Sequence, residues 1–258
     1  MTTETLKRIL DETWIRSAEF HPTIDSTNTR AIQRLADADL PLLIWADAQS
    51  AGRGRGNHRW WSAEGSLTFS VVIDEISTGH CVGRDPRTAL IAGLAVAETL
   101  KAIASDQTVQ LKWPNDVWLN GRKICGILVE VPPVHQDAAV IGVGLNVNNS
   151  LASLPKDIRQ AATSLIDSTS RMFDREELLI TFLGQLKSHI LLLKGRDDSF
   201  ANAWNSFCGL TGRTICVENG DRIQRGQCLG IDGSGALILQ QGTGISQIIS
   251  GTIHLDNQ

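Results

Sequence analysis

The sequence has no surplus of positive charge, no long apolar run and no paired-cysteine motif, and each absence removes a class of function. Its 24 lysines and arginines stand against 28 aspartates and glutamates, a formal net charge of -4. A nucleic-acid or anionic-membrane surface would therefore need its positive charge concentrated locally. The most hydrophobic helix-like stretch, Leu178 to Leu193, is interrupted by Gln185, Lys187, Ser188 and His189. A bilayer core would not tolerate these cheaply, so no transmembrane span is expected. Near the N-terminus Glu4, Lys7, Arg8, Asp11 and Glu12 are spread among Leu6, Ile9 and Leu10. Without the uninterrupted apolar segment of a signal peptide, the expected location is the cytoplasm. The five cysteines, Cys81, Cys125, Cys208, Cys216 and Cys228, are odd in number and form no Cys-x-x-Cys pair, which favours buried free thiols over a disulfide framework or zinc ribbon. Also missing are a Gly-x-Ser-x-Gly elbow, a His-Glu-x-x-His helix and any sequence-evident histidine partner for Cys125. Covalent-nucleophile and zinc-hydrolase chemistry thus has little support. What is present is 258 residues, 42% hydrophobic and 20% charged, a folded composition long enough for one large domain or two smaller ones.

Residues 3–18 carry Leu6, Ile9, Leu10 and Thr13/Trp14 at helical spacing, and Ser26-Thr27-Asn28 supplies cap-type residues ahead of Ala31, Ile32 and Leu35. The chain is expected to open with two helices. Leu42 to Ala46 and Leu67 to Ile73 read as strands, joined through the glycine- and arginine-rich segment Gly52 to Arg59. Asp85-Pro86 offers a cap and a first-turn proline for a largely buried helix over 89–104 that should pack on the sheet. Strands follow at 109–113, 117–119, 123–131 and 138–147, with Asn120-Gly121 favouring a tight primed turn between the second and third. Helical patterns over 175–194 and 199–207 end near Gly209. Beyond them ten glycines punctuate strand-like runs at 214–218, 222–231, 236–240 and 245–249. That texture suits a small antiparallel barrel and places a domain boundary at about residue 210.

Three segments can carry chemistry. In Gly52-Arg53-Gly54-Arg55-Gly56-Asn57-His58-Arg59-Trp60-Trp61, glycines allow close backbone approach and arginines supply forked donors for carboxylate and phosphate oxygens. A solvated basic loop or an RGG-like nucleic-acid contact would share this composition. The segment is neither a P-loop nor a dinucleotide fingerprint, because no Gly-Lys-Ser/Thr follows and the glycine spacing differs. In Lys112-Trp113-Pro114-Asn115-Asp116, followed by Lys123 and Gly126, two lysines can neutralise an anion, and Asp116 beside Asn115 can hold magnesium or a ribose hydroxyl. An ordinary strand and turn would read the same way. Gly142-Val143-Gly144-Leu145-Asn146 ends an apolar strand; it could let a flat ring lie against the backbone, with Asn146 offering an amide, or it could be a closely packed strand.

Taken together and in this order, Ser26-Thr27-Asn28, Gln49, the Gly52 to Trp60 loop, Lys112 to Asp116, Lys123 with Gly126, and Gly142 to Asn146 resemble the biotin–protein ligase family. The resemblance spans nearly the whole chain. It implies an α/β (α+β) catalytic domain, residues 1–209, on a mixed β-sheet of the biotin/lipoate ligase and class II aminoacyl-tRNA synthetase-like type with helices on one side. A small C-terminal SH3-like β-barrel, 210–258, would follow. Members activate biotin with ATP and Mg²⁺ to biotinyl-5'-AMP, then pass the biotinyl group to one lysine of a biotin carboxyl carrier domain, for example that of acetyl-CoA carboxylase. The resemblance implies that Ser26, Thr27, Asn28 and Gln49 face the ureido ring, with Gly126, Gly142 and Gly144 lining the same pocket. Arg53, Gly54 and Arg55 would close over the biotin carboxylate and the α-phosphate, with Lys123 bridging the two. Trp60, Lys112, Asn115, Asp116 and Asn146 would serve the nucleotide, and Asp116 its metal. Arg53, Arg55, Lys112, Asp116 and Lys123 form the implied catalytic set, and the loop is expected to stay disordered until ligand orders it.

Two segments depart from the common family pattern: Gly56-Asn57 stands where an Arg-Gly pair is frequent, and Ala161 to Leu165 where some members place an aromatic over adenine. Bifunctional members carry an N-terminal winged helix-turn-helix, whereas ligand residues here begin at Ser26, so ligase activity without operator binding is expected. No DNA or membrane partner is implied, and many relatives form homodimers. Lipoate–protein ligase shares the fold and the adenylation chemistry, while the order of motifs fits biotin better; a non-catalytic RNA-binding module using Arg53, Arg55 and Arg59 is the alternative from another class.

Overall fold

The computed structural model describes residues 3–56, 58–152, 155–194 and 198–255; Asn57, of the Gly56-Asn57 departure, lies outside them. In chain order the elements are α1 (Thr3–Glu12), β1 (Ser17–Ile24), α2 (Thr27–Arg34), β2 (Leu42–Gln49), β3 (Leu67–Ile73), α3 (Glu75–Thr78), α4 (Thr88–Ile103), β4 (Val109–Lys112), β5 (Asp116–Leu119) and β6 (Arg122–Glu130). There follow β7 (Ala139–Leu145), α5 (Lys156–Ala161), α6 (Leu165–Thr169), α7 (Arg175–Leu192), α8 (Ser199–Asn205), β8 (Thr214–Asn219), β9 (Arg222–Ile231), β10 (Leu237–Gln241), β11 (Gly244–Ile248) and β12 (Thr252–Leu255).

Seven strands form a mixed sheet in the order β1-β2-β3-β7-β6-β5-β4. β1 and β2 run parallel, and every other neighbouring pair is antiparallel. The central strands β3 and β7 are buried at every residue, as strands covered on both faces must be. Alternation then assigns each face its role. Leu43, Trp45, Val71, Ile73, Ile141 and Val143 point into the main core with α4 and α7, whereas Leu42, Ile44, Val72 and Val140 meet Ala31 and Leu35 beneath α2. Helices therefore lie on both faces, which corrects the expectation of helices on one side. α4 is rich in alanine and leucine and buried on nearly all sides because α7 covers its outer surface. α7 begins at Asp174, whose carboxylate accepts from the Glu176 and Glu177 amides at 2.8 and 3.3 Å, satisfying two of the helix's free donors.

Asn120 and Gly121 have φ of 52° and 77°, the two positive values that a primed turn demands, so β5 and β6 form the expected hairpin. The opening differs from expectation. α1 stops at Glu12, and residues after it form β1 rather than a longer helix. Trp14 donates its indole N–H to the Leu183 carbonyl at 2.8 Å, which fixes the chain's turn away from α1. α4 likewise starts at Thr88, with Asp85 accepting from the Arg87 amide at 2.9 Å instead of capping a helix that contains Pro86.

The tail forms a separate five-stranded antiparallel sheet in the order β11-β10-β9-β8-β12. Its inward residues Ile215, Val217, Leu237 and Leu239 join the same hydrophobic cluster as Trp113 and Leu90. Asn205 brackets Ile231, donating to its carbonyl at 2.9 Å and accepting from its amide at 2.8 Å. Trp113 donates to the Gly235 carbonyl at 3.1 Å. Among the described residues no helix is long and apolar enough to cross a membrane.

Candidate active site

On the α2 face, direct pairing across the strands lines up Ala46, Thr68, Gly144, Gly126, Asp116 and Lys112 in one row. The next row is Ile44, Ser70, Gly142 and Leu128, and the next Leu42, Val72, Val140 and Glu130. The last of these is apolar until its final residue, and much of it is covered by α2. From the first two, Thr68, Gly144, Gly126, Asp116, Lys112, Gly142 and Leu128 line a cavity of about 450 Å³, a size suited to one small molecule.

One end of the cavity is polar and uncharged. Ser26 caps α2, and its side chain accepts from the Thr29 amide at 3.4 Å. Gln49 Oε1 accepts from the Thr27 amide at 2.7 Å and lies 3.2 Å from its hydroxyl. Ser70 Oγ lies 2.7 Å from Thr27 Oγ1 and 2.6 Å from Asn28 Oδ1. Ser26, Thr27, Asn28 and Ser70 are all buried. Asn28 Oδ1 sits where a Cβ on residue 142 would stand, so only glycine there lets the amide reach the floor. Such a set of donors and acceptors, held by its own hydrogen bonds, can read a small neutral polar head.

The other end is charged. Lys123 pairs with Asp116 at 2.5 Å, and Lys112 faces Asp116 across the β4–β5 pairing. Burial lowers the Lys112 ammonium below the usual lysine range, Asp116 pulls against that shift, and Lys123 adds to it. Asn115 donates to the Ile127 carbonyl at 2.8 Å and accepts that residue's amide on its own carbonyl at 3.0 Å, locking the turn that carries Asp116. Cys125 is buried next to this group, and burial pushes its thiol up, out of the range of a nucleophile.

The glycine-arginine loop covers the cavity as a narrow hairpin. Arg53 bridges to Arg59, Trp60 donates its amide to Gly52 at 3.0 Å, and Gly54 donates to His58 at 2.8 Å. The Trp60 indole lies against Gly144, where a Cβ would collide with the ring, with Lys123 Nζ 6.0 Å from a ring centre. The Trp60 indole N–H is buried with no partner among the described residues. The two arginines diverge. Arg55 donates to the Gly251 carbonyl of the tail sheet at 2.9 Å, while Arg53 pairs with Glu130 at 2.6 Å. Arg53 thus stands over the neutral end beside Asn28, not with Lys123 at the charged end, because its counter-ion is on the outer row of the sheet.

The structure brings Ser26, Thr27, Asn28, Gln49, Arg53, Gly54, Arg55, Trp60, Lys112, Asn115, Asp116, Lys123, Gly126, Gly142 and Gly144 around one cavity. Asn146 is apart. It is buried, donates to the Thr163 carbonyl at 3.1 Å and accepts from Asn149 at 3.0 Å, outside the cavity lining. Sequence reasoning missed Thr68, Ser70, Glu130 and the backbone of Gly251 to Ile253, which the cavity or its contacts include; only strand register and the packing of the tail reveal them. Among the described residues no group of three or more His, Cys, Asp or Glu could hold a metal unaided. Asp116 alone suffices where a nucleotide's phosphates supply the remaining oxygens.

Residues 20–148 match the model of the Biotin/lipoate A/B protein ligase family, and residues 211–256 that of the Biotin protein ligase C terminal domain. The chain is 31% identical over 249 residues to the bifunctional ligase/repressor BirA of Bacillus subtilis, covering 92% of this chain and 73% of that protein. It is 32% identical over 238 residues to a biotin–[acetyl-CoA-carboxylase] ligase of Mycobacterium tuberculosis, covering 89% and 86% of the two. The fold superposes on a biotin protein ligase from Aquifex aeolicus, solved in complex with biotin and ATP, with a TM-score of 0.81 at 27% identity, covering 95% of this chain and 100% of that one. With half its length matched by the family model and its site residues gathered in one cavity, the chain belongs to the biotin/lipoate A/B protein ligase family.

Proposed function

We propose that this chain is a biotin–protein ligase that joins biotin to AMP and then hands the biotinyl group to a lysine of a biotin carboxyl carrier domain. The observation that carries this reading is the polarity of the cavity: a neutral recess at buried Ser26, Thr27 and Asn28 and half-buried Gln49, and cations at Lys112 and Lys123. A ligand that fits has a planar polar head, an apolar stem and an acidic tail. Biotin has all three.

In the first step a biotin carboxylate oxygen attacks the α-phosphorus of ATP, and diphosphate leaves with the electron pair of the broken P–O bond. Two anions must meet, so fixed cations lower the barrier most where charge gathers. Lys123 exchanges its partner Asp116 for the incoming carboxylate. Asp116 would hold an Mg²⁺ that neutralises phosphate charge, and Lys112 would face the phosphates. In the second step the carrier lysine gives up its ammonium proton to solvent, its neutral amine attacks the acyl carbon, AMP departs with the former carboxylate oxygen, and the nitrogen sheds a second proton to solvent as the amide forms. Asp116 is the carboxylate placed to receive the lysine ammonium beforehand. No protein nucleophile is needed, in keeping with the buried Cys125. The loop sealed by Trp60 keeps water from the mixed anhydride.

The tail sheet, with its bulge between Ile238 and Leu239 and its apolar interior, supports an SH3-like barrel beginning at about residue 210, whose Gly251 to Ile253 segment closes the cavity. The net charge of -4 supports ligation without operator binding, and a biotin-dependent, sequence-specific DNA shift would overturn that. ATP–pyrophosphate exchange with Mg²⁺ and biotin, lipoate or no acid tests the reading. Exchange should require biotin; exchange with lipoate alone would keep the chemistry and change the substrate, and silence with both acids would reject the reading.

A further inference from the structure

Glu130 ends β6 on the cavity side of the sheet, at the edge of the neutral recess. Its Oε2 accepts from Asn28 Nδ2 at 2.7 Å and from Arg53 Nη2 at 2.6 Å. Asn28 Nδ2 also donates to the Leu128 carbonyl at 3.3 Å, while Asn28 Oδ1 lies against Ser70 Oγ and over Gly142. A carboxylate can only accept. Glu130 therefore dictates which way the Asn28 amide faces: nitrogen toward β6, oxygen toward the cavity floor. The same carboxylate holds the loop arginine, and its oxygen cannot favour one partner without affecting the other.

We propose that Glu130 is a positioning residue that fixes Asn28 as a hydrogen-bond acceptor toward the ligand's polar head and, through Arg53, latches the loop over it. The inference rests on the biotin reading above. A ligand head bearing N–H groups meets the second lone pair of the oxygen that Glu130 orients, the first accepting from Ser70 Oγ at 2.6 Å, and a head without them leaves that second lone pair unused. Loop closure and head recognition are then one event, because Arg53 neutralises the charge that orients Asn28. Glu130 touches no reacting atom, so its removal acts on binding and retention rather than on the chemical step.

The test uses the full-length enzyme and its Glu130→Ala, Glu130→Gln, Arg53→Gln and Glu130→Ala/Arg53→Gln variants. It measures KM and kcat in biotin-dependent ATP–pyrophosphate exchange, dissociation of preformed biotinyl-5'-AMP, and thermal unfolding. Glu130→Ala should raise the biotin KM about tenfold, the worth of one charge-assisted hydrogen bond. It should speed adenylate dissociation by a similar factor and leave kcat and the ATP KM within about twofold. Glu130→Gln, which keeps one acceptor oxygen, should fall between, and the double variant should lose less than the product of the two single effects. An unchanged biotin KM and dissociation rate in folded Glu130→Ala would overturn the proposal, as would strictly multiplicative effects of the pair. If Glu130→Ala does not fold, Arg53→Gln on the half-exposed loop decides: unchanged retention of the adenylate overturns the latch. A wild-type enzyme silent with biotin rejects the functional reading, whereas an active wild type with indifferent variants rejects this inference alone.

Discussion

The Lys112 ammonium lies 5.4 Å from the centre of the Trp118 ring and pairs across the ladder with Asp116. Burial lowers its proton affinity below that of an ordinary lysine. Its charge is therefore lost, as pH rises, before the usual lysine value of about 10.4. Adenylation that depends on this cation should fall on the alkaline side below that value. Lys112→Arg, which stays charged, should move that limb to higher pH in a profile of biotin-dependent exchange; an unmoved limb would remove Lys112 from the phosphate site. Cys125 is a contrasting case. Its thiol is fully buried and pushed up by that burial, so Cys125→Ser should leave the rate of adenylation within about twofold while costing about 1 kcal/mol of stability. Loss of activity in a folded Cys125→Ser enzyme would show that the thiol takes part. Among single residues, most of the site was legible from residue type and order. Glu130 was not, because nothing near it in the chain marks it out; its partners Asn28 and Arg53 come from distant segments. Asn146 was legible as an amide after a glycine pair but is used in holding Thr163 and Asn149.

The alternation of β3, β6 and β7 puts glycine and small polar residues on the floor of the cavity while their neighbours in sequence build the core. Gly142 and Gly144 do separate jobs on one strand: the first admits the Asn28 amide, the second the Trp60 indole. Overpacking of this kind typically costs about 1–3 kcal/mol. Gly142→Ala should raise the biotin KM by about tenfold or more with little change in the ATP KM. Gly144→Ala should lift the loop, so that biotinyl-5'-AMP dissociates or hydrolyses faster. The paired measurements are steady-state exchange and the decay of enzyme-bound adenylate; identical profiles for the two variants would contradict the division. The β5–β6 hairpin was readable because Asn-Gly satisfies a turn by itself. β1 was not, since Ser-Ala-Glu-Phe-His-Pro-Thr-Ile lacks clean alternation and its place depends on pairing with β2. The extent of α1 was overestimated for the same reason: the helical spacing runs on past Glu12, while pairing with β2 draws the chain from Ser17 onward into the sheet.

Across the whole molecule, the tail sheet shares a hydrophobic cluster with the catalytic sheet and meets the loop through Arg55 and Gly251. Removing residues 210–258 would expose Trp113 and leave its indole N–H without the Gly235 carbonyl. Full-length protein should therefore unfold in one calorimetric transition, and a chain ending at residue 209 should melt well below it or fail to stay soluble. Two separable transitions, or an unchanged melting point after truncation, would show that the parts are independent. The sequence texture changes near residue 210, but the contribution of the tail to the cavity depends on packing that no local pattern encodes.

The two-step chemistry can be read from the fate of its oxygen atoms. Biotin labelled with ¹⁸O in its carboxylate is turned over with ATP, Mg²⁺ and a biotin carboxyl carrier domain, and the AMP is analysed by mass spectrometry. Carboxylate attack on the α-phosphorus followed by aminolysis at the acyl carbon predicts one ¹⁸O atom in each AMP and one left in the new amide. AMP without label, or label recovered in diphosphate, would contradict adenylation of biotin as the route to the modified lysine.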